Sequence, residues 1–166
     1  MKTKTQKVVT AAMLAALTCV ITMIIKVPSP FKGYLNLGDC VVLLAGWSLS
    51  PLYGFFAAGI GSMLADIFSG FVTYAPATFL IKGIMALIAY FGFRLLHRQK
   101  STLVPRIVSG LVAEIVMVLG YFVFEGFLYG FLPSAVNIPA NAMQGVLGLI
   151  LGVILIRIFA KNNILE

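Results

Sequence analysis

Residues 37–50, LGDCVVLLAGWSLS, decide how many times this chain crosses a membrane. They give only about 21 Å of helix at 1.5 Å per residue, short of the ~30 Å hydrocarbon core. Pro51 then disfavours helix at Ser50. With this segment the chain crosses six times, and without it five. Positive charge chooses between the two. With six crossings Lys2, Lys4, Lys7, Arg94, Arg98, Lys100, Arg106, Arg157 and Lys161 share one side, nine of the 12 basic residues. Lys26 and Lys32 face the other side, and Lys82 lies within a span. Five crossings would turn the 94–106 cluster outward, against the cytoplasmic preference of Lys and Arg. Six helices with both termini cytoplasmic is the reading.

The composition agrees. Of 166 residues, 61% are hydrophobic and 10% charged, and the mean hydropathy is +1.06. Soluble domains carry about 25% charged residues, so this is an integral, multi-pass membrane protein. Six helices of about 20 residues leave no room for a nucleotide-binding or soluble catalytic module. The net charge of +7 marks topology and not nucleic acid. Lipid admits helices or closed barrels, and nothing here alternates like barrel strands, so the fold is all-α. The expected helices are 8–25, 37–50, 52–69, 76–96, 105–128 and 138–160, in a single membrane domain spanning 1–166. The first is a retained helix, because its apolar run is long for a signal peptide and lacks a small-residue cleavage site after it. Asp39, directly before an apolar run, is an expected N-cap, a role Asn36 could share. Cys19 and Cys40 match no metal spacing and are not expected to pair.

Four ionisable residues fall inside spans: Asp66, Lys82, Glu114 and Glu125. Each costs roughly 2.5–3.5 kcal/mol on insertion scales, so each faces the bundle interior. Asp66 and Glu125 lie near the outer ends of the third and fifth helices. Lys82 lies about 9 Å below the outer start of the fourth, and Asn141 and Gln144 sit one to two turns into the sixth. Tyr74, Thr78 and Tyr121 add hydroxyls at similar depth. This convergence points to an outward-opening pocket for a small polar ligand. Two other roles stay open: an Asp66–Lys82 pair locking the third and fourth helices, and interhelical hydrogen bonds from Asn141 and Gln144. Glu114 is deeper, with a structural or protonated role. Gly145, Gly148 and Gly152 form a flat face. Ala11, Ala12, Ala15 and Ala16 form two small-xxx-small pairs suited to close helix contact, within the bundle or with a partner.

Catalytic chemistry is missing. No nucleophile motif appears, and His97 lies in a cytoplasmic loop far from Ser62. There is no metal spacing and no Walker sequence, so the chain is not expected to be an enzyme, and any ATP is used by a partner. A competing reading is a self-sufficient proton-coupled carrier relaying through Asp66, Glu114 and Glu125.

The helix 1 alanines resemble those of the substrate-binding S components of energy-coupling factor (ECF) vitamin transporters. So do Tyr34-Leu35-Asn36-Leu37-Gly38-Asp39 leading into Val41–Gly46, and Pro51-Leu52-Tyr53-Gly54. Gly59-Ile60-Gly61-Ser62-Met63-Leu64-Ala65-Asp66 and Tyr74-Ala75-Pro76-Ala77-Thr78-Phe79 with Ile81-Lys82-Gly83 complete the resemblance. It covers the whole chain in length and helix count and is most specific over 34–83. The similar branch is the riboflavin type, which also holds members assigned to hydroxymethylpyrimidine and pyridoxine. The resemblance implies a bacterial plasma-membrane protein that takes a vitamin from outside with high affinity and binds no cofactor itself. A transmembrane scaffold (T) subunit and two cytoplasmic ATPase (A) subunits would drive uptake. It places Ala11, Ala12, Ala15 and Ala16 against the scaffold, and loop 26–38, with Tyr34 and Asn36 and leading to Asp39, over the ligand. Family binding residues in helices four to six vary with the vitamin, so Lys82, Glu125, Asn141 and Gln144 rest on depth alone. The expected ligand is hydroxymethylpyrimidine or pyridoxine, with riboflavin the alternative.

Overall fold

The computed structural model describes residues 3–29, 33–97 and 102–161, with side chains through Phe159. Lys2, Lys32, Arg98 and Lys100 of the charge pattern lie outside these residues, as does the Lys161 side chain. The elements are α1 (Lys4–Ile24), β1 (Lys26–Pro28), β2 (Tyr34–Asn36), α2 (Asp39–Ser48), α3 (Pro51–Phe68), α4 (Ala75–Leu96), α5 (Leu103–Tyr129), α6 (Phe131–Ala135) and α7 (Ile138–Lys161). Among the described residues, five helical segments are long and apolar enough to cross a membrane, and α2 is the short apolar sixth.

The helices start where local chemistry lets them. Thr3 and Gln6 form a reciprocal capping box at α1, and Pro51 opens α3, where its missing N–H costs nothing. Gly130, at φ +95°, ends α5 and turns the chain into α6. The five-residue α6 occupies most of the segment expected to be plain loop.

The doubtful segment turns out to be the axle of the bundle. All side chains from Val41 to Ala45 are wholly inaccessible, and α2 packs against α3, α4 and α7. A helix that is apolar all round is a buried one. Ten residues suffice because longer helices sheathe it from lipid. The contact is close: a Cβ on Gly46 would lie 2.6 Å from the Ala86 carbonyl oxygen of α4. Outward, α3, α4, α5 and α7 present Phe56, Leu80, Leu111, Ile115 and Ile150 to the surroundings, the apolar belt that a bilayer requires.

Two expectations are corrected. The segment 26–38 is not a plain loop: β1 and β2 pair antiparallel, Lys26 opposite Asn36 and Val27 opposite Leu35. Asp39 is not the N-cap of α2. Gly38 holds that position without a side-chain bond, and Asn36 Oδ1 accepts the Gly38 N–H at 2.9 Å. The interior Lys82 ammonium draws Asp39 away.

Candidate ligand-binding site

The hairpin lies across one end of the bundle and is tied down on several sides. Lys26 Nζ donates to Ser69 Oγ at the end of α3. Ser29 Oγ donates to Asn137 Oδ1, between α6 and α7, at 2.5 Å. Tyr34 OH donates to Asp66 Oδ1 of α3 at 2.6 Å. The Asn36 N–H donates to Gln144 Oε1 of α7 at 2.9 Å. A three-residue strand pair is marginal alone, so these side-chain bonds hold it.

Beneath the hairpin is a small polar pocket of about 30 Å³, lined by Ser29, Gly33, Tyr34, Asn36, Asp66, Phe71, Tyr74, Thr78, Tyr121, Glu125, Asn141 and Gln144. Nine of the eleven residues expected from the sequence to meet a ligand are here. Asp39 and Lys82 are not. They are ion-paired to each other behind the pocket, with side chains 0% and 3% exposed. The Asp66–Lys82 pair considered from the sequence is therefore replaced. Asp39, the first residue of α2 and fully buried, takes the ammonium, and Asp66 takes the Tyr34 hydroxyl instead. Gln144 Nε2 donates to the second Asp39 oxygen at 2.6 Å. Gln144 thus joins the buried pair to the hairpin, and Lys82 Nζ lies 5.4 Å from the centre of the Tyr121 ring.

The other wall is also bonded. Glu125 Oε2 accepts from Asn137 Nδ2 at 2.9 Å, and Tyr74 OH reaches Glu125 Oε1 at 3.4 Å. Thr78 and Tyr121 share a hydroxyl bond of 3.0 Å. Phe71 packs against Tyr34 with ring centres 4.8 Å apart. Burial and the Asp66 carboxylate hold the Tyr34 phenol above its ordinary pKa. Burial and Glu125 do the same to Tyr74. Both phenols are donors at neutral pH, facing two carboxylates and amide groups. Such a lining suits a flat, hydrogen-bonding ring.

Sequence reasoning missed Ser29, Gly33, Phe71 and Asn137. All four sit in connections between long helices, where neither depth nor helical periodicity singles out a residue. The alanines of α1 are split. Ala11 is buried and Ala15 half-buried toward α3, while Ala12 and Ala16 are exposed. Cys19 and Cys40 are free thiols. The helix ends opposite the hairpin carry Lys4, Lys7, Arg94, Arg106 and Arg157.

The sequence profile of the ECF-type riboflavin transporter S component matches residues 2–161. The chain belongs to that family. It is an S component of the ECF vitamin-transporter class and a multi-pass membrane protein. A solved structure described as the S component of a bacterial ECF transporter is similar over 96% of this chain and 98% of its own, with TM-score 0.77 and 28% identity. An S component for biotin from an ECF-type ABC transporter shares the fold, with TM-score 0.55 and 16% identity over 93% and 94% of the two chains. A Pyrococcus woesei chain described as an uncharacterized protein in a gap 3' region is 38% identical over 135 residues, 80% of this S component and 87% of the relative.

Proposed function

We propose that this S component captures a ring-shaped vitamin alcohol in the pocket beneath the hairpin and delivers it to an ATP-driven transporter. The observation that carries the reading is the convergence of Tyr34, Asp66, Tyr74, Glu125, Asn141 and Gln144 around one cavity under a tied hairpin. The polar groups give orientation, and Tyr and Phe rings give faces for a heteroaromatic ring. Riboflavin is the first ligand to test, supported by family membership. The hydroxymethylpyrimidine or pyridoxine expected from the sequence is the second reading. It is supported by the small size of the cavity, about 30 Å³, which has less to open for a one-ring vitamin than for the larger riboflavin.

A transmembrane scaffold subunit and two cytoplasmic ATPases are the proposed partners, and ATP is used by them alone. The exposed Ala12 and Ala16 are the part of the alanine pattern free to meet the scaffold. Titration of the purified chain with riboflavin, pyridoxine and hydroxymethylpyrimidine tests the ligand, and a sub-micromolar Kd is expected for one of them. Failure of all three, with no vitamin found by mass spectrometry of the purified protein, would overturn the reading.

A further inference from the structure

Glu114 takes no part in the pocket. It stands near the middle of α5, roughly 16 Å along the helix from Leu103, and is 4% exposed. Both carboxyl oxygens are buried and neither has a hydrogen-bond partner among the described residues. From α7 it meets Gly145 and Gly148, so closely that a Cβ on either would lie 3.1 Å from a Glu114 oxygen. At Gly148 the same added atom would lie 2.7 Å from Asp39 Cβ. One glycine therefore separates the two acids. The titratable groups that face Glu114 are Asp39 and Cys40 from α2 and Lys82 from α4. α6 has no titratable residue, and α7 faces it with glycine.

One ammonium thus serves a cluster that holds two carboxyl groups. Lys82 is already taken by Asp39, whose other oxygen accepts from Gln144. An ionised Glu114 would leave the cluster with an unbalanced charge that no donor solvates, in the part of the protein where that is costliest. We propose that Glu114 carries a proton in this arrangement and acts as a positioning residue for the pocket. While neutral, it leaves Lys82 to Asp39, and Asp39 holds Gln144, which in turn holds Asn36 of the hairpin. On ionising, Glu114 competes for Lys82 and loosens that chain of bonds. A merely structural filler of the α5–α7 contact would have no such dependence on its proton.

Infrared difference spectra of the full chain at neutral pH, wild type against Glu114→Gln, read the proton directly. The expected result is a protonated-carboxyl C=O band that the variant lacks, and absence of the band overturns the proposal. Riboflavin titrations and ligand-free unfolding midpoints at about pH 6 and about pH 9 read the positioning. Wild-type affinity is expected to fall at least about fivefold with rising pH, and its midpoint to fall relative to that of Glu114→Gln, which keeps the neutral shape. Parallel pH profiles for the two proteins overturn the positioning role. Glu114→Asp, which keeps a titratable group, is expected to retain the pH dependence and decides the matter should the Gln variant not fold. The affinity arm rests on the vitamin-binding reading. If no vitamin binds, that reading fails, while the band and the midpoints still decide the role of Glu114.

Discussion

Lys82 of α4 and Asp39 of α2 form an ion pair in which neither side chain is more than 3% exposed. The pair sits directly behind the pocket, and Gln144 links it to the hairpin. Removing one partner leaves the other charged in an apolar interior. Lys82→Met is expected to cost about 3–5 kcal/mol of stability, and Asp39→Asn less, because Glu114 can then ionise against Lys82. The double variant is expected to recover much of the loss, because no lone charge remains. Denaturant unfolding of the four proteins in detergent gives the coupling, and additive losses would show that the two residues do not act as a pair.

The Tyr34 hydroxyl on Asp66 is the hairpin's bond to α3, 2.6 Å long. Tyr34→Phe removes the donor and keeps the ring against Phe71. A hydrogen bond to a charged group is worth about 1.5–3 kcal/mol, so vitamin affinity is expected to weaken by roughly 10–150-fold. The loss should appear mostly as faster dissociation in stopped-flow measurements. An unchanged dissociation rate would mean that this bond does not retain the ligand.

Neighbouring alanines on α1 are expected to behave oppositely. Ala11 is buried, so Ala11→Leu overpacks the bundle and costs about 1–3 kcal/mol of stability. Ala16 is exposed, so Ala16→Leu is expected to leave thermal stability and vitamin binding unchanged while abolishing uptake in cells that supply the transporter partners. Normal uptake by Ala16→Leu would remove this face from the proposed docking surface.

Tyr34 and Tyr74 have pKa values raised by burial and by neighbouring carboxylates. A phenol raised in the folded state ionises first in the unfolded chain. The stabilisation is therefore complete below the ordinary value of about 10 and is lost as pH climbs above it. Unfolding midpoints are expected to decline above roughly pH 10, less steeply in Tyr34→Phe. A Tyr34→Phe profile parallel to wild type would assign the decline to other groups.

Much of the architecture was legible because the bilayer imposes simple rules on composition. Length, apolar runs and the placement of basic residues led to six apolar helices whatever their packing. Depth along each helix was enough to bring Asp66, Glu125, Asn141 and Gln144 to one level, since 1.5 Å per residue converts sequence position into height. Height says nothing of rotation or tilt between helices. For that reason an Asp66–Lys82 pair between consecutive helices stays open from sequence alone, whereas α2 carries Asp39 into the same layer and takes the ammonium. The strand pairing of 26–36 was hidden because each strand is three residues long, too short for alternation to register.

What the sequence by itself determined is the class of molecule: an apolar chain of helices with its polar residues gathered toward one end and an alanine pattern on its first helix. The tertiary structure alone decided which polar groups partner which, that the ten-residue α2 is the central helix, and that among the described residues Glu114 has no donor. Partition into lipid depends on residues summed along a segment, which a linear sequence records. A hydrogen bond or an ion pair depends on a few ångströms between helices that are distant in sequence, and only packing fixes that distance.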